Sequence, residues 1–211
     1  MAMTLYYAPG AASLLVHWLL IELDLPHDLQ LVDTAANAQK SPAYLALNPN
    51  GVLPTLVIDG KPQYEAAALA MLLAERHPQW GLAPAFDDPR RADYLQWMFN
   101  LANMVQPLFR QWWYPGEPAG DAQRDAVLAH CALRIEGQWQ RIEDHLAADG
   151  PYLLGEDASV ADFYLTMLMR WSRNMPRPAT QWPQLAALAG RIKQRPSFAT
   201  LYQREGLTEW A

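Results

Sequence analysis

One cysteine, Cys131, is all that the 211 residues contain. A single thiol cannot close an internal disulfide, build a multi-cysteine zinc site or form a C-x-x-C redox pair. It suits a reducing compartment. Basic runs are missing too. The formal net charge is −6, with 16 Lys and Arg against 22 Asp and Glu. Arg90-Arg91 is too short to grip a phosphate backbone, so no nucleic-acid partner is expected. No apolar stretch is long enough to cross a bilayer, and no membrane partner is expected either. The best candidate, residues 14–23, contains His17 and Glu22 and lacks a basic leader. Internal repeats and low-complexity tracts are also missing. These traits fit a cytoplasmic globular protein, and no metal site is expected.

What is present points to folding. Hydrophobic residues make up 51% of the chain, and nine Trp and nine Tyr are many for this length. The length accommodates two small domains with substantial cores. Some of the aromatics can line a pocket for flat apolar ligands.

The local patterns divide the chain. Residues 3–8 read as a short strand closed by Pro9-Gly10. Residues 13–23 read as a helix that is apolar almost all round, hence buried. Residues 28–33 form a second strand. Pro42 suits the first turn of a short helix at 41–47. Residues 54–58 and 61–64 read as a hairpin around Asp59-Gly60, followed by an Ala- and Leu-rich helix over 65–76. The order β-α-β-α-β-β-α predicts a small mixed sheet covered by helices. Residues 78–89 carry Pro78, Gly81, Pro84 and Pro89 and read as a linker. Beyond it only helical patterns occur, over 90–113, 121–148, 160–173, 183–194 and 198–205. The expected division is therefore an α/β domain over 1–77, the linker, and an all-helical domain over 90–211. Ser159-Val160-Ala161-Asp162 reads as a capping box that starts a helix, with Asp in place of the usual Glu or Gln.

Four features in this order resemble the cytosolic glutathione transferases. They are Tyr6-Tyr7-Ala8-Pro9-Gly10-Ala11-Ala12-Ser13-Leu14, then Asn48-Pro49-Asn50-Gly51-Val52-Leu53-Pro54-Thr55-Leu56, then Glu65 opening a helix, and Gly155 before the 159–162 box. The resemblance covers nearly the whole chain, and its opening segment is similar to the bacterial beta-class branch. It implies a thioredoxin-like first domain that binds glutathione as cosubstrate, with no tightly bound cofactor. It implies a helical domain that holds a small hydrophobic electrophile, and a homodimer. The implied activity is transfer of the glutathione sulfur to that electrophile.

Site candidates follow residue by residue. Ser13 stands at a helix start, where unpaired N–H groups and the helix dipole favour a thiolate. Its hydroxyl could add a hydrogen bond, or could simply cap the helix. Tyr6 is the rival donor; core packing is its alternative role. Leu53-Pro54 resembles the family's cis-proline turn, which presents the Leu53 N–H and C=O to an extended peptide. Glu65 and Ala66 fall where the γ-glutamyl end would bind, Glu65 on its ammonium and the helix-start amides on its carboxylate. Asn103, Gln106 and Trp113 are candidates for the second-substrate pocket, within an aromatic stretch that also includes Phe109, Trp112 and Tyr114. Lys40 could meet the glycyl carboxylate. Ala12 departs from the beta-class pattern, which carries cysteine there. Without that thiol no mixed disulfide with glutathione can form at this position. Ala66 replaces a common serine. These departures keep open a non-catalytic apolar-ligand carrier or an interaction module on the same fold, and glutathione-dependent isomerisation or dehalogenation remains a further enzymatic alternative.

Overall fold

Leu5 and Leu56 lie opposite one another on adjacent strands, both fully buried, and the sheet is built around them. Burying a leucine contributes about 1.5–3 kcal/mol, which sets the register of short strands that have few hydrogen bonds. The computed structural model describes residues 2–210. Its sheet contains β1 (Met3–Tyr7), β2 (Asp28–Leu31), β3 (Thr55–Ile58) and β4 (Lys61–Tyr64). The strand order is β2-β1-β3-β4, with β1 and β2 parallel and the other pairs antiparallel. Asp59 and Gly60, with φ of 48° and 79°, make the hairpin turn that the Asp-Gly pair predicts.

Helix α1 (Ser13–Glu22) is buried along its whole length except Ile21. It packs against α3 (Ala66–Arg76) and β1. The short α2 (Pro42–Leu45) covers the other face of the sheet through Tyr44. Ser41 caps α2, accepting the Tyr44 N–H at 3.3 Å. Among the described residues the chain separates into two units. One runs to Ala83 and takes in Lys193–Glu209; the other is Pro84–Ile192.

The sequence division placed everything after residue 90 in the helical domain. In the structure α10 (Pro196–Glu205) returns to the first unit. The reason is the all-round apolarity of α1, which needs a second cover. Phe198 of α10 packs on Trp18 with ring centroids 5.3 Å apart. The Trp18 indole N–H donates to the Ser197 hydroxyl at 2.9 Å. Glu22, an acid at the end of this buried helix, is answered by Arg195, whose Nε donates to it at 2.7 Å.

The second unit comprises α4 (Arg91–Asn100), a π-helical turn over Leu101–Val105, α5 (Gln106–Trp113), α6 (Gly116–Ala119), the long α7 (Arg124–Asp149), α8 (Val160–Trp171) and α9 (Pro183–Lys193), whose last residue belongs to the first unit. Its core centres on α8, which is buried from Val160 to Arg170. Cys131 is a buried residue of α7 and is not part of any disulfide. The capping box forms. Asp162 accepts the Ser159 N–H at 2.7 Å, the Ser159 hydroxyl at 3.0 Å and the Leu153 N–H at 2.9 Å.

Burial raises the Asp162 carboxyl to about 6, the desolvation cost outweighing the three hydrogen bonds. An unfolded aspartate titrates near 3.8. Between these values the folded chain binds the extra proton, so stability is highest with Asp162 protonated and falls as pH rises through this window. Relative to Asp162→Asn, the wild type should lose up to ~3 kcal/mol between pH 4 and pH 7. Urea midpoints of both proteins across this range check it. A constant difference between the two would contradict it.

Candidate active site

The geometry of the first unit follows from one row of the sheet. Tyr6 of β1 stands opposite Thr55 of β3, and Thr55 stands opposite Tyr64 of β4. Three segments leave the sheet from this row. The loop 8–12 runs from β1 into α1. Leu53-Pro54 immediately precedes Thr55. Glu65 and Ala66 immediately follow Tyr64. Neighbouring strands are about 4.8 Å apart, so β1 and β4 lie about 10 Å apart across this end of the sheet. Three extended residues cover the same span.

Strand alternation sends Tyr6 and Tyr7 to opposite faces. Tyr7 lies toward α1, its ring 5.8 Å from that of His17. Tyr6 meets Tyr44 edge-on at 5.9 Å. Ser13 opens α1 and is fully buried. Its hydroxyl accepts the Ala8 N–H and donates to the Ala8 carbonyl, both at 3.2 Å. The Ser13 hydroxyl thus closes the turn that carries the chain from β1 into α1. Ala11 and Ala12 are partly exposed at the same turn.

The Leu53-Pro54 bond is cis. The loop before it is held from behind. Asn48, fully buried, donates from its amide to the Val52 carbonyl at 2.9 Å and accepts the Asn50 N–H at 3.1 Å. The Tyr44 hydroxyl donates to the same Val52 carbonyl at 2.8 Å and lies 2.9 Å from the Thr55 hydroxyl. Burial pushes the Tyr44 phenol above its usual range, so it remains a donor. Gly51, at φ 59°, sits where a Cβ would come within 2.9 Å of the Lys40 side chain. Lys40 donates to the Asn50 carbonyl at 3.2 Å, which gives it a role in this loop.

Glu65 is exposed and holds φ 73°, a region costly for any residue with a side chain, by about 1–2 kcal/mol. That conformation turns the chain from β4 into α3. Glu65 is the N-cap residue of α3, its side chain makes no hydrogen bond to the helix-start N–H groups, and Ala66 next to it is buried.

Glu205 was not visible as a site residue from the sequence. This acid of α10 is buried, and both its oxygens are used. One lies 2.8 Å from Nδ1 of His17, and the other accepts the Gly10 N–H at 2.8 Å. The last turn of α10 therefore fastens the loop that leads into α1. The available signal was His17 itself, a polar residue inside an otherwise apolar helix, which requires a partner. Nothing local names that partner, because it lies 188 residues away.

The second unit carries Asn103, Gln106 and Trp113 on the π turn and α5. Asn103 is exposed, Gln106 half-buried and Trp113 41% exposed. Arg173 lies over the Trp113 ring at 5.5 Å, and Arg110 over Tyr114 at 4.0 Å. Phe109 is not part of any exposed wall. It is fully buried between Trp139 and Trp171. It faces the core because α5 needs an apolar anchor there. Among the described residues no group of acids, histidines or cysteines is arranged to hold a metal ion.

The chain is similar to known proteins in both of its units. Residues 12–76 match the family model described as glutathione S-transferase, N-terminal domain, and residues 102–204 match that for the C-terminal domain. Glutathione S-transferase GST-4.5 of Xanthomonas campestris is 32% identical over 97% of this chain and all of its own length. A glutathione transferase homolog from Sulfitobacter, solved with bound glutathione, superposes with a TM-score of 0.89 at 28% identity, covering 98% of this chain and 99% of its own. A glutathione transferase from Methylococcus capsulatus gives a TM-score of 0.87 at 30% identity, covering 98% of this chain and 100% of its own.

Removing the Glu205 carboxylate takes its partner from the Nδ1 of fully buried His17 and breaks its bond with the Gly10 N–H. Glu205→Ala should cost about 2–4 kcal/mol, read from urea unfolding. A loss below about 0.5 kcal/mol, the range of ordinary surface changes, would contradict this anchoring role.

Proposed function

This chain belongs to the glutathione S-transferase family, and on that premise we propose how it holds its cosubstrate and ionises the thiol. The tripeptide lies across the end of the sheet, from Glu65 to the start of α1. Glu65 pairs with the γ-glutamyl ammonium. The first N–H groups of α3, including that of Ala66, receive the γ-glutamyl carboxylate. The Leu53 N–H and C=O pair with the cysteinyl backbone as one more strand would. The sulfur then reaches the first turn of α1. The observation that carries this reading is the Tyr6–Thr55–Tyr64 row, which brings the three segments to one end of the sheet at the spacing of a tripeptide.

An ordinary thiol titrates near about 8.5 and is mostly protonated at neutral pH. The free N–H groups and dipole of a helix start lower that value. We assign the stabilisation of the thiolate to the backbone at Ala12 and Ser13. The Ser13 hydroxyl is engaged with Ala8, and so Ser13 acts by shaping the turn. Tyr6 lies against Tyr44 and supports the cis-proline loop from the sheet side. The sulfur forms a bond to an electrophilic carbon, and the leaving group departs or a proton is added. Holding the two reactants together with the thiol already ionised supplies much of the rate. No protein thiol takes part, because Ala12 occupies the position beside Ser13 and Cys131 is buried in α7. We further read the electrophile as small and hydrophobic, met by Asn103, Gln106 and Trp113. The chain is read as a cytoplasmic homodimer on the strength of its family. No described helix is long and apolar enough to cross a membrane.

Conjugation of a chromogenic aryl halide, followed against pH, tests the assignment of the thiolate. Ser13→Ala should lower kcat/KM about threefold to tenfold through a loosened turn, with the apparent thiol pKa unmoved. Tyr6→Phe should change the rate less than about twofold. A rise of about one pKa unit or more in Ser13→Ala would put the hydroxyl on the sulfur and overturn the backbone assignment.

A further inference from the structure

Ile21 is the one residue of α1 that is not buried, and it faces a cavity of about 760 Å³. That volume is in the range of small-molecule sites. The cavity lies between the end of α1, the Leu25–Asp28 stretch that leads into β2, the start of β1, and α10 through Thr200 and Arg204. All of these belong to the first unit. Met3 and Asp28 begin β1 and β2, which run parallel. The cavity is therefore at the end of the sheet opposite the Tyr6–Thr55–Tyr64 row.

Its floor is apolar. Met3 and Leu20 are buried there, with Ile21 and Leu25 half-buried. Its rim carries both signs of charge, Asp24 and Asp28 against Arg204, all exposed. These charges are not spent on one another, for no described residue forms an ion pair with any of the three. The Arg204 guanidinium meets His27 instead, its Nη1 lying 3.4 Å from Nε2 of that ring. Nδ1 of His27 donates to the Leu25 carbonyl at 2.7 Å, so the lone pair is on Nε2, toward Arg204. Burial lowers the His27 pKa, and the His17 and Arg204 charges add to this. They outweigh the Leu25 hydrogen bond and the Asp28 charge, so the ring stays a neutral acceptor. One N–H of the guanidinium is thus taken up by a group without charge. The others, and the whole positive charge, are left for an anion.

A simple anion in this cavity would meet two carboxylates, and a simple cation would meet the guanidinium. A ligand with both charges and an apolar body satisfies the whole lining. We propose that the cavity binds a zwitterion with apolar side chains, a short peptide with free ends or an apolar amino acid. Its ammonium pairs with Asp24 and Asp28. Its carboxylate takes a forked pair of hydrogen bonds from Arg204. Its side chains cover Ile21 and Leu25. This binding is independent of the transferase reading above.

Amide 1H–15N spectra of the intact chain, titrated with L-leucyl-L-phenylalanine, test this. Saturable shifts are expected at residues 2–3, 20–28 and 200–204, unchanged by saturating glutathione. L-leucine is the second ligand, and the tighter of the two identifies the source as peptide or free amino acid. N-acetyl-leucyl-phenylalaninamide, which lacks both charges, should bind about tenfold weaker or more. Arg204→Gln and the double variant Asp24→Asn with Asp28→Asn should each weaken binding about fivefold or more. Asparagine suits position 24, where φ is 52°. The altered side chains are exposed, and the rest of each spectrum shows that the fold is kept. No saturable shift with either ligand up to about 10 mM overturns the proposal. Shifts centred on Tyr6, Leu53 and Glu65, displacement by glutathione, or undiminished affinity in both variants also overturn it.

Discussion

Antiparallel pairing on both sides of β3 is the constraint on which the site depends. Once Leu5 and Leu56 are buried together, Tyr6 must stand opposite Thr55, and the hairpin then sets Thr55 opposite Tyr64. A register slip of one residue would turn Leu56 to the other face of the sheet. It would also separate the α1 loop, the cis-proline and Glu65, which bind nothing as isolated segments. The buried leucines that stabilise the fold therefore also set the spacing of the site.

The loops that leave this row are held from behind by polar groups with no access to a ligand. Asn48 and Tyr44 share the Val52 carbonyl. Ser13 closes on Ala8. Glu205 holds Gly10 and His17. A buried polar group is costly unless it is paired, so each of these contacts has one geometry that is strongly preferred. In the proposed reading, the backbone of Leu53 and the first turns of α1 and α3 are what an extended peptide with charged ends uses. The exposed Glu65 in a costly backbone conformation fits the same division of labour.

Much of this was legible in the sequence because it is local. The four strands, the helix start at Ser13, the Asp-Gly turn and the capping box each depend on a few consecutive residues, while the cis-proline was implied by the family resemblance. What was not legible depends on distant partners or on side-chain direction. The return of α10 to α1 arises because α1 is apolar all round, but the sequence does not say which helix covers it. Ser13 stands where expected, yet the direction of its hydroxyl is decided by the turn at Ala8. Phe109 was grouped with exposed aromatics because sequence spacing alone does not separate a core anchor from a pocket wall. The π turn escaped because regular helical periodicity was assumed through Pro107, although that proline was the local sign of a disturbed turn.

Calorimetric titration tests the central claim most directly, with reduced glutathione compared against the dipeptide Cys-Gly, which lacks the γ-glutamyl end. The account predicts saturable glutathione binding with one site per chain. It predicts binding of the dipeptide about tenfold weaker or more, because Glu65 and the start of α3 would lose their ligand. Equal affinity for the two, or no saturable heat with glutathione at two temperatures, would contradict it.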